Sequence, residues 1–133
     1  MLAEISGKLR YDTEELAQYP AVGDCVMVDI QPELAVIHRV LTRKSLFVRK
    51  AVGVSGQAQP VADNVDIAFL CMSLNQNFSL NRMERYLSMA WDSGAVPVIV
   101  LTKSDLCDDL PQAVSQVENI SSFSDVIPLS MFD

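Results

Sequence analysis

The sequence predicts a mixed fold: an all-β module over residues 1–60, then an α/β segment over residues 61–133 built on a parallel sheet. Residues 1–60 are short β-prone runs cut by turn residues, the spacing of a small barrel or open meander. From Asp63 onward, apolar runs alternate with segments of helical spacing. The order β-α-β-α-β with short links calls for parallel strands and right-handed crossovers. The stretch that organises this second half is Val96–Asp105, VPVIVLTKSD. Its unbroken apolar run reads as a strand buried on both faces, and it stops abruptly at Thr102-Lys103-Ser104-Asp105. In open α/β sheets ligands bind at the carboxyl ends of such strands, which is where TKSD falls.

Taken in order, Leu2–Leu9 has strand character, and the acidic stretch Tyr11–Tyr19, closed by Pro20, reads as a loop. Ala21-Val22-Gly23-Asp24 enters a strand at Cys25–Ile30, and the turn Gln31-Pro32-Glu33 leads to a second at Leu34–Leu41. Leu46–Val52 is a third, and Gly53–Pro60, GVSGQAQP, reads as a linker or loop. Ile67–Met72 is a continuous apolar run. Leu80–Ser93 carries apolar residues at Leu80, Met83, Leu87, Ala90 and Trp91, with Ser79 as N-cap and Gly94 as C-terminal stop. Arg82, Glu84 and Arg85 fall on its polar face, and Trp91, Met83 and Met89 are expected to pack. After Val96–Leu101, Asp108 or Asp109 caps a second helix with Pro111 in its first turn and Val114, Val117 and Ile120 on one side. Val126–Leu129 is a last short strand ending at Ser130.

Composition narrows the class. Half of the 133 residues are hydrophobic and a fifth charged, which suits a folded globular chain rather than a disordered one. No apolar run approaches the ~20 residues of a membrane span, and MLAEISGK lacks a basic region followed by an apolar stretch, so a cytosolic protein is expected. Cys25, Cys71 and Cys107 are far apart without a CxxC, and Cys25 and Cys71 lie in apolar runs, which favours buried free thiols. His38 has no Cys or His near it, so no local metal site is expected. A net charge of −7 argues against general polyanion binding, yet His38–Lys50 holds Arg39, Arg43, Lys44, Arg49 and Lys50 and no acid. That run is either a solvated strand edge that discourages strand-to-strand association or a surface for RNA phosphates.

TKSD has a chemistry of its own. Guanine presents two adjacent donors on one edge, the ring N1–H and the exocyclic amine, and a carboxylate offers two acceptors at matching separation. Asp105 suits that edge, and adenine, with an acceptor at the same ring position, would be rejected. Lys103 has an aliphatic stem that fits over a purine face, and the Thr102 hydroxyl can hold the loop. The plainer alternative is a surface turn in which Asp105 starts the next helix.

VPVIVLTKSD resembles the guanine-specificity motif of translation-factor-type GTPases. The longer stretch NVDIAFLCMSLNQNFSLNRMERYLSMAWDSGAVPVIVLTKSDLCDD resembles the circularly permuted, ribosome-small-subunit-dependent GTPases of the RsgA/YjeQ family. LRYD, PAVGDCV and IHRVLTRKSLFVRK are similar to the N-terminal region of that family. The resemblance implies an OB-fold-like module, here expected to lack its first strand, followed by the first part of a P-loop-GTPase-type domain in permuted order. It implies that Thr102, Lys103, Ser104 and Asp105 bind guanine nucleotide. Ser130 then matches the second guanine loop, with Met131 where that loop usually has alanine. It further implies GTP or GDP as ligand, the small ribosomal subunit and its rRNA as partners, and a monomeric full-length protein. Mg²⁺ and Zn²⁺ belong to the full-length family, and no catalytic or metal-ligating residues are expected in this chain. No G-x-x-x-x-G-K-[ST] occurs: Gly7-Lys8 is followed by Leu9 and has Leu2 at the first glycine position, and Gly56 is followed by Gln57. The expectation is an internal piece of a longer GTPase that does not hydrolyse GTP by itself. The alternative is an RNA-binding OB module with a non-catalytic α/β scaffold.

Overall fold

The computed structural model describes residues 1–50 and 58–132, and its contacts divide the chain into two compact units, Met1–Val65 and Asp66–Asp133. In the first unit, β1 (Leu2–Ile5) runs parallel to β3 (Leu34–Val40), which pairs antiparallel with β2 (Val26–Ile30), giving the order β1-β3-β2. The Gln31 N–H closes the β2–β3 turn on the Leu34 carbonyl at 2.9 Å. A second ladder joins β4 (Leu46–Lys50) antiparallel to β5 (Ala58–Asp63).

Three local expectations give way in this unit. Leu2–Leu9 is not one strand: Ser6 leaves β1 and caps α1 (Gly7–Asp12), its hydroxyl accepting the Leu9 N–H at 3.1 Å. The acidic stretch contains one 3₁₀ turn at Leu16–Gln18. Ala58–Pro60, expected in a linker, belong to β5, which accommodates Pro60 by pairing only with β4; Ala51–Gln57 lie outside the described residues.

The second unit is a parallel sheet in the order β6-β7-β8, from Ile67–Ser73, Val96–Thr102 and Asp125–Leu129. α2 spans Leu80–Ser93 and α3 spans Leu110–Ile120. Gly94 ends α2 at φ 88°, the left-handed conformation in which glycine carries no Cβ penalty. Asp109 caps α3 by accepting the Gln112 N–H at 3.0 Å, with Pro111 in the first turn. Because the strand order is sequential and both crossovers share one hand, both helices cover the same sheet face. There Met72, Leu74, Met83, Leu87, Ile99, Leu101, Ala113 and Val117 form the core.

The opposite face of β6 is open, with Ile67, Phe69 and Cys71 exposed. Cys25 is exposed as well, so both cysteines expected to be buried lie at the surface. Strand composition does not say which face a partner element covers. Trp91 and Met89, expected as packing residues, are also about half exposed, at 49% and 50%, whereas Met83 is fully buried. No helix among the described residues is long and apolar enough to cross a membrane.

Candidate functional site

β7 lies between β6 and β8, which buries Ile99, Val100 and Leu101 and brings its carboxyl end out between two neighbours. Thr102 is its last residue, and the Thr102 carbonyl accepts the Leu74 N–H at 2.8 Å, tying the end of β7 to the loop after β6. Lys103 then turns into the left-handed region at φ 58° and ψ 43°. Ser104–Leu106 form one 3₁₀ turn, closed by Leu106 N–H to the Lys103 carbonyl at 3.0 Å and Cys107 N–H to the Ser104 carbonyl at 3.2 Å. The reversal at Lys103 leaves both Lys103 and Asp105 exposed beyond the strand tip. A non-glycine residue held in that region costs about 1 kcal/mol or more and concentrates where loops are shaped for binding.

β8 delivers the second half. Leu129 stands beside Thr102 in the ladder, so Ser130 emerges next to the TKSD turn. The Ser130 hydroxyl donates to Asp105 Oδ1 at 3.0 Å and accepts the Phe132 N–H at 3.0 Å. Two loops 25 residues apart in sequence are thus joined through one hydroxyl. Asp105 Oδ2 takes no hydrogen bond among the described residues. A cavity of about 560 Å³ opens there, lined by Thr102, Lys103, Asp105 and Leu106 from one loop and Leu129–Phe132 from the other. Its mouth is apolar, with Leu106 58%, Met131 95% and Phe132 87% exposed. Ser104 is half-buried within the turn and does not line the cavity.

The basic run behaves unevenly. Arg39, Lys44 and Arg49 are exposed, and the side chain of Lys50 lies outside the described residues. Arg43 is spent inside the first unit. Its Nε and Nη2 grip the two oxygens of Asp24 at 2.9 and 2.8 Å, Nη2 also donates to the Tyr19 carbonyl at 2.9 Å, and Nη1 donates to the Ala17 carbonyl. Asp63, fully buried, stands 3.3 Å from Arg43 Nε. Four of the five guanidinium N–H donors are taken by these acceptors and one on Nη1 is left, so Arg43 offers a phosphate far less than an exposed arginine would. Charge counts along a sequence do not reveal acids such as Asp24 and Asp63, brought to Arg43 from outside the run.

The Arg43 guanidinium holds the Asp24 carboxyl below its ordinary range, against the effect of burial. Asp63 is pushed up, first by burial, with neither oxygen hydrogen-bonded and with Asp24 adding to the effect while Arg43 partly opposes it. Sequence reading missed this cluster, and the one signal for it was the turn at Gly23. Gly23 sits at φ 98°, and a Cβ there would overlap the Asp63 carbonyl. Among the described residues no group of three or more His, Cys, Asp or Glu side chains gathers as a metal would require.

The parallel sheet brings two loops together at its carboxyl end, the place where open α/β sheets bind ligands, and comparison with known proteins gives the family. The family model for the RsgA GTPase matches residues 40–131, so the chain belongs to the RsgA GTPase family. It is 45% identical over 120 residues to the small ribosomal subunit biogenesis GTPase RsgA 2 of Lactiplantibacillus plantarum, covering 90% of this chain and 34% of that protein. It is 41% identical over 138 aligned positions to RsgA of Opitutus terrae, covering 96% and 38%. Among solved structures, YjeQ from Thermotoga maritima superposes with a TM-score of 0.70 at 25% identity, covering 96% of this chain and 42% of that one. YloQ, described as a circularly permuted GTPase, superposes at 0.65 and 23% identity, covering 98% and 43%. The chain spans about a third of the length of these curated relatives.

Proposed function

We propose that this chain is the guanine-recognition part of a GTPase that assists maturation of the small ribosomal subunit. The observation that carries the reading is Asp105: an exposed carboxylate beyond the tip of the central strand, steadied by Ser130 at 3.0 Å and opening onto a cavity lined by Lys103. One face of the purine lies on the Lys103 stem. Asp105 accepts from N1–H and the exocyclic amine, and Ser130 fixes the carboxylate plane so that both donors are met at once. The Met131 N–H is the donor for the base carbonyl. The phosphates and the attacking water belong to loops outside this stretch, so the chain alone does not hydrolyse GTP. Residues 1–60 form the OB-fold-like module of this reading and residues 61–133 the start of the GTPase domain. The relatives' printed names, small ribosomal subunit biogenesis GTPases, support the assignment, and the cytoplasm is its compartment.

A direct test uses the 133-residue chain. GDP at millimolar concentration should shift the amide signals of Thr102–Asp105 and Ser130–Met131, ADP should not, and neither should be hydrolysed. Equal shifts with both nucleotides, or none at those residues, would remove the role given to Asp105. Micromolar GTP binding by calorimetry would show that base contacts suffice without a phosphate loop.

A second reading, an RNA-binding module on an inert α/β scaffold, is favoured by one observation: Arg39, Lys44 and Arg49 are exposed on the first unit. It requires RNA affinity that falls steeply with salt and ignores nucleotide. The two readings part at the α/β segment, which binds guanine nucleotide in the first and is inert in the second, so the nucleotide titration above separates them.

A further inference from the structure

We propose that the groove between α2 and the turn after α3 recognises an arginine side chain presented by a protein partner. The groove, about 320 Å³, is lined from α2 by Glu84, Leu87 and Trp91 and from the end of α3 by Ile120, Ser121 and Phe123. It shares no residue with the cavity at Asp105. Glu84, Leu87 and Trp91 fall at i, i+3 and i+7, so they form one stripe of the helix.

Four features converge on a planar cation. First, two aromatic side chains of the groove are open to water, Trp91 at 49% and Phe123 at 89%. Second, Glu84 forms no ion pair among the described residues, although Arg82 and Arg85 are close in sequence. Ser88 does not neutralise it either, since its hydroxyl donates to the Glu84 backbone carbonyl at 3.0 Å. Third, Ser121 is 6% exposed and its Oγ has no hydrogen-bond partner among the described residues, a costly state for a hydroxyl that a donor seated in the groove relieves once the side chain turns toward it. Fourth, α2 and α3 both follow strands of a parallel sheet, so they point the same way, and their carbonyl-rich ends, at Ser93 and Ile120, add negative potential.

A guanidinium satisfies all four at once. It stacks on an indole or phenyl face and donates to a carboxylate and to a hydroxyl oxygen in its own plane. An apolar side chain would leave Glu84 and Ser121 unpaired, and an anion would meet Glu84 and the helix ends. The net charge of −7 draws a basic segment toward the chain from a distance.

Trp91 is the only tryptophan in the chain, so its emission reports on this groove alone. The probes are the capped tripeptide Gly-Arg-Gly and its citrulline counterpart, which keeps the shape and loses the charge. Emission should change saturably with the arginine peptide and at least about fivefold more weakly with citrulline. Glu84→Gln should weaken the arginine peptide by up to about fivefold, the upper size of an exposed ion pair. Asp108→Asn removes the same charge from the opposite end of α3 and should titrate like the parent chain. Both positions are exposed, and circular dichroism checks that the variants fold. The proposal fails if the two peptides act alike, if Glu84→Gln titrates unchanged, if Asp108→Asn weakens binding as much as Glu84→Gln, or if the response never saturates.

Discussion

Two aspartates at the carboxyl ends of strands have opposite fates. Asp63 closes β5, is fully buried, and faces Arg43 and Asp24 across a turn that only glycine can make at position 23. Asp105 follows β7, stays exposed, is met by one hydroxyl and lines a cavity. The first has its charge contained by the fold and belongs to architecture. The second keeps one carboxylate oxygen without a hydrogen bond among the described residues, as the proposed base contact requires. What separates them is the surrounding chain: Asn64 and Val22–Gly23 fold over Asp63, the Asp63 N–H reaching the Val22 carbonyl at 2.9 Å and Asn64 Nδ2 the Gly23 carbonyl at 2.9 Å. The reversal at Lys103 instead lifts Asp105 clear.

The largest break in this contrast should come from Arg43→Ala. It leaves Asp24 and Asp63 buried without their cation and should cost the first unit about 3–5 kcal/mol. Denaturant melts and amide exchange over Val26–Val40 would report it, and near-parent stability would mean that the cluster is incidental. Asp105→Asn acts in the other direction. It should leave the melting of this chain unchanged, because the group is exposed. In a full-length family GTPase carrying this stretch, it should shift base preference from guanine toward xanthine by about a hundredfold, since xanthine presents an acceptor where guanine has its amine. Preference that stays with guanine would place base recognition elsewhere.

Ser130→Ala sharpens the comparison. It frees the Asp105 carboxylate to rotate and should weaken guanine nucleotide about fivefold, the size of one hydrogen bond, without changing which base is preferred. The smallest effect is the pH dependence of the cluster. Asp63, raised when folded, stabilises at low pH and loses that contribution as pH rises from its ordinary 3.8 through the raised value. Asp24, lowered when folded, contributes above its ordinary 3.8 and loses that as pH falls through the lowered value. The first unit should therefore be most stable in mild acid, and Asp63→Asn should flatten the decline on the alkaline side alone, as melts followed across pH would show.

Much of the second unit was legible because its signals are local. Met83, Leu87 and Ala90 recur at helical spacing and all three are buried; Asp109, Pro111 and Gly94 punctuate the helices where their backbone preferences say they should. The candidate site was half legible. TKSD announced itself by following an apolar run, but the hydroxyl bridge from Ser130 to Asp105 needed the β7–β8 register, which no local pattern encodes. The first unit was less open to reading. β1 paired parallel with β3 across more than thirty residues of chain, and Arg43 found its acids outside its own basic run.

By itself the sequence determined the order of elements in the second unit, the bounds of α2 and α3 and the turn that follows β7, because these rest on side-chain periodicity and on glycine, proline and cap residues acting within a few positions of themselves. Only the tertiary structure decided which charges are spent and which remain available. Arg43 and Asp63 are consumed and Asp105 is not, and Trp91 faces water rather than the core. Pairing and burial depend on what distant segments bring to a residue, and that information lies in the packing.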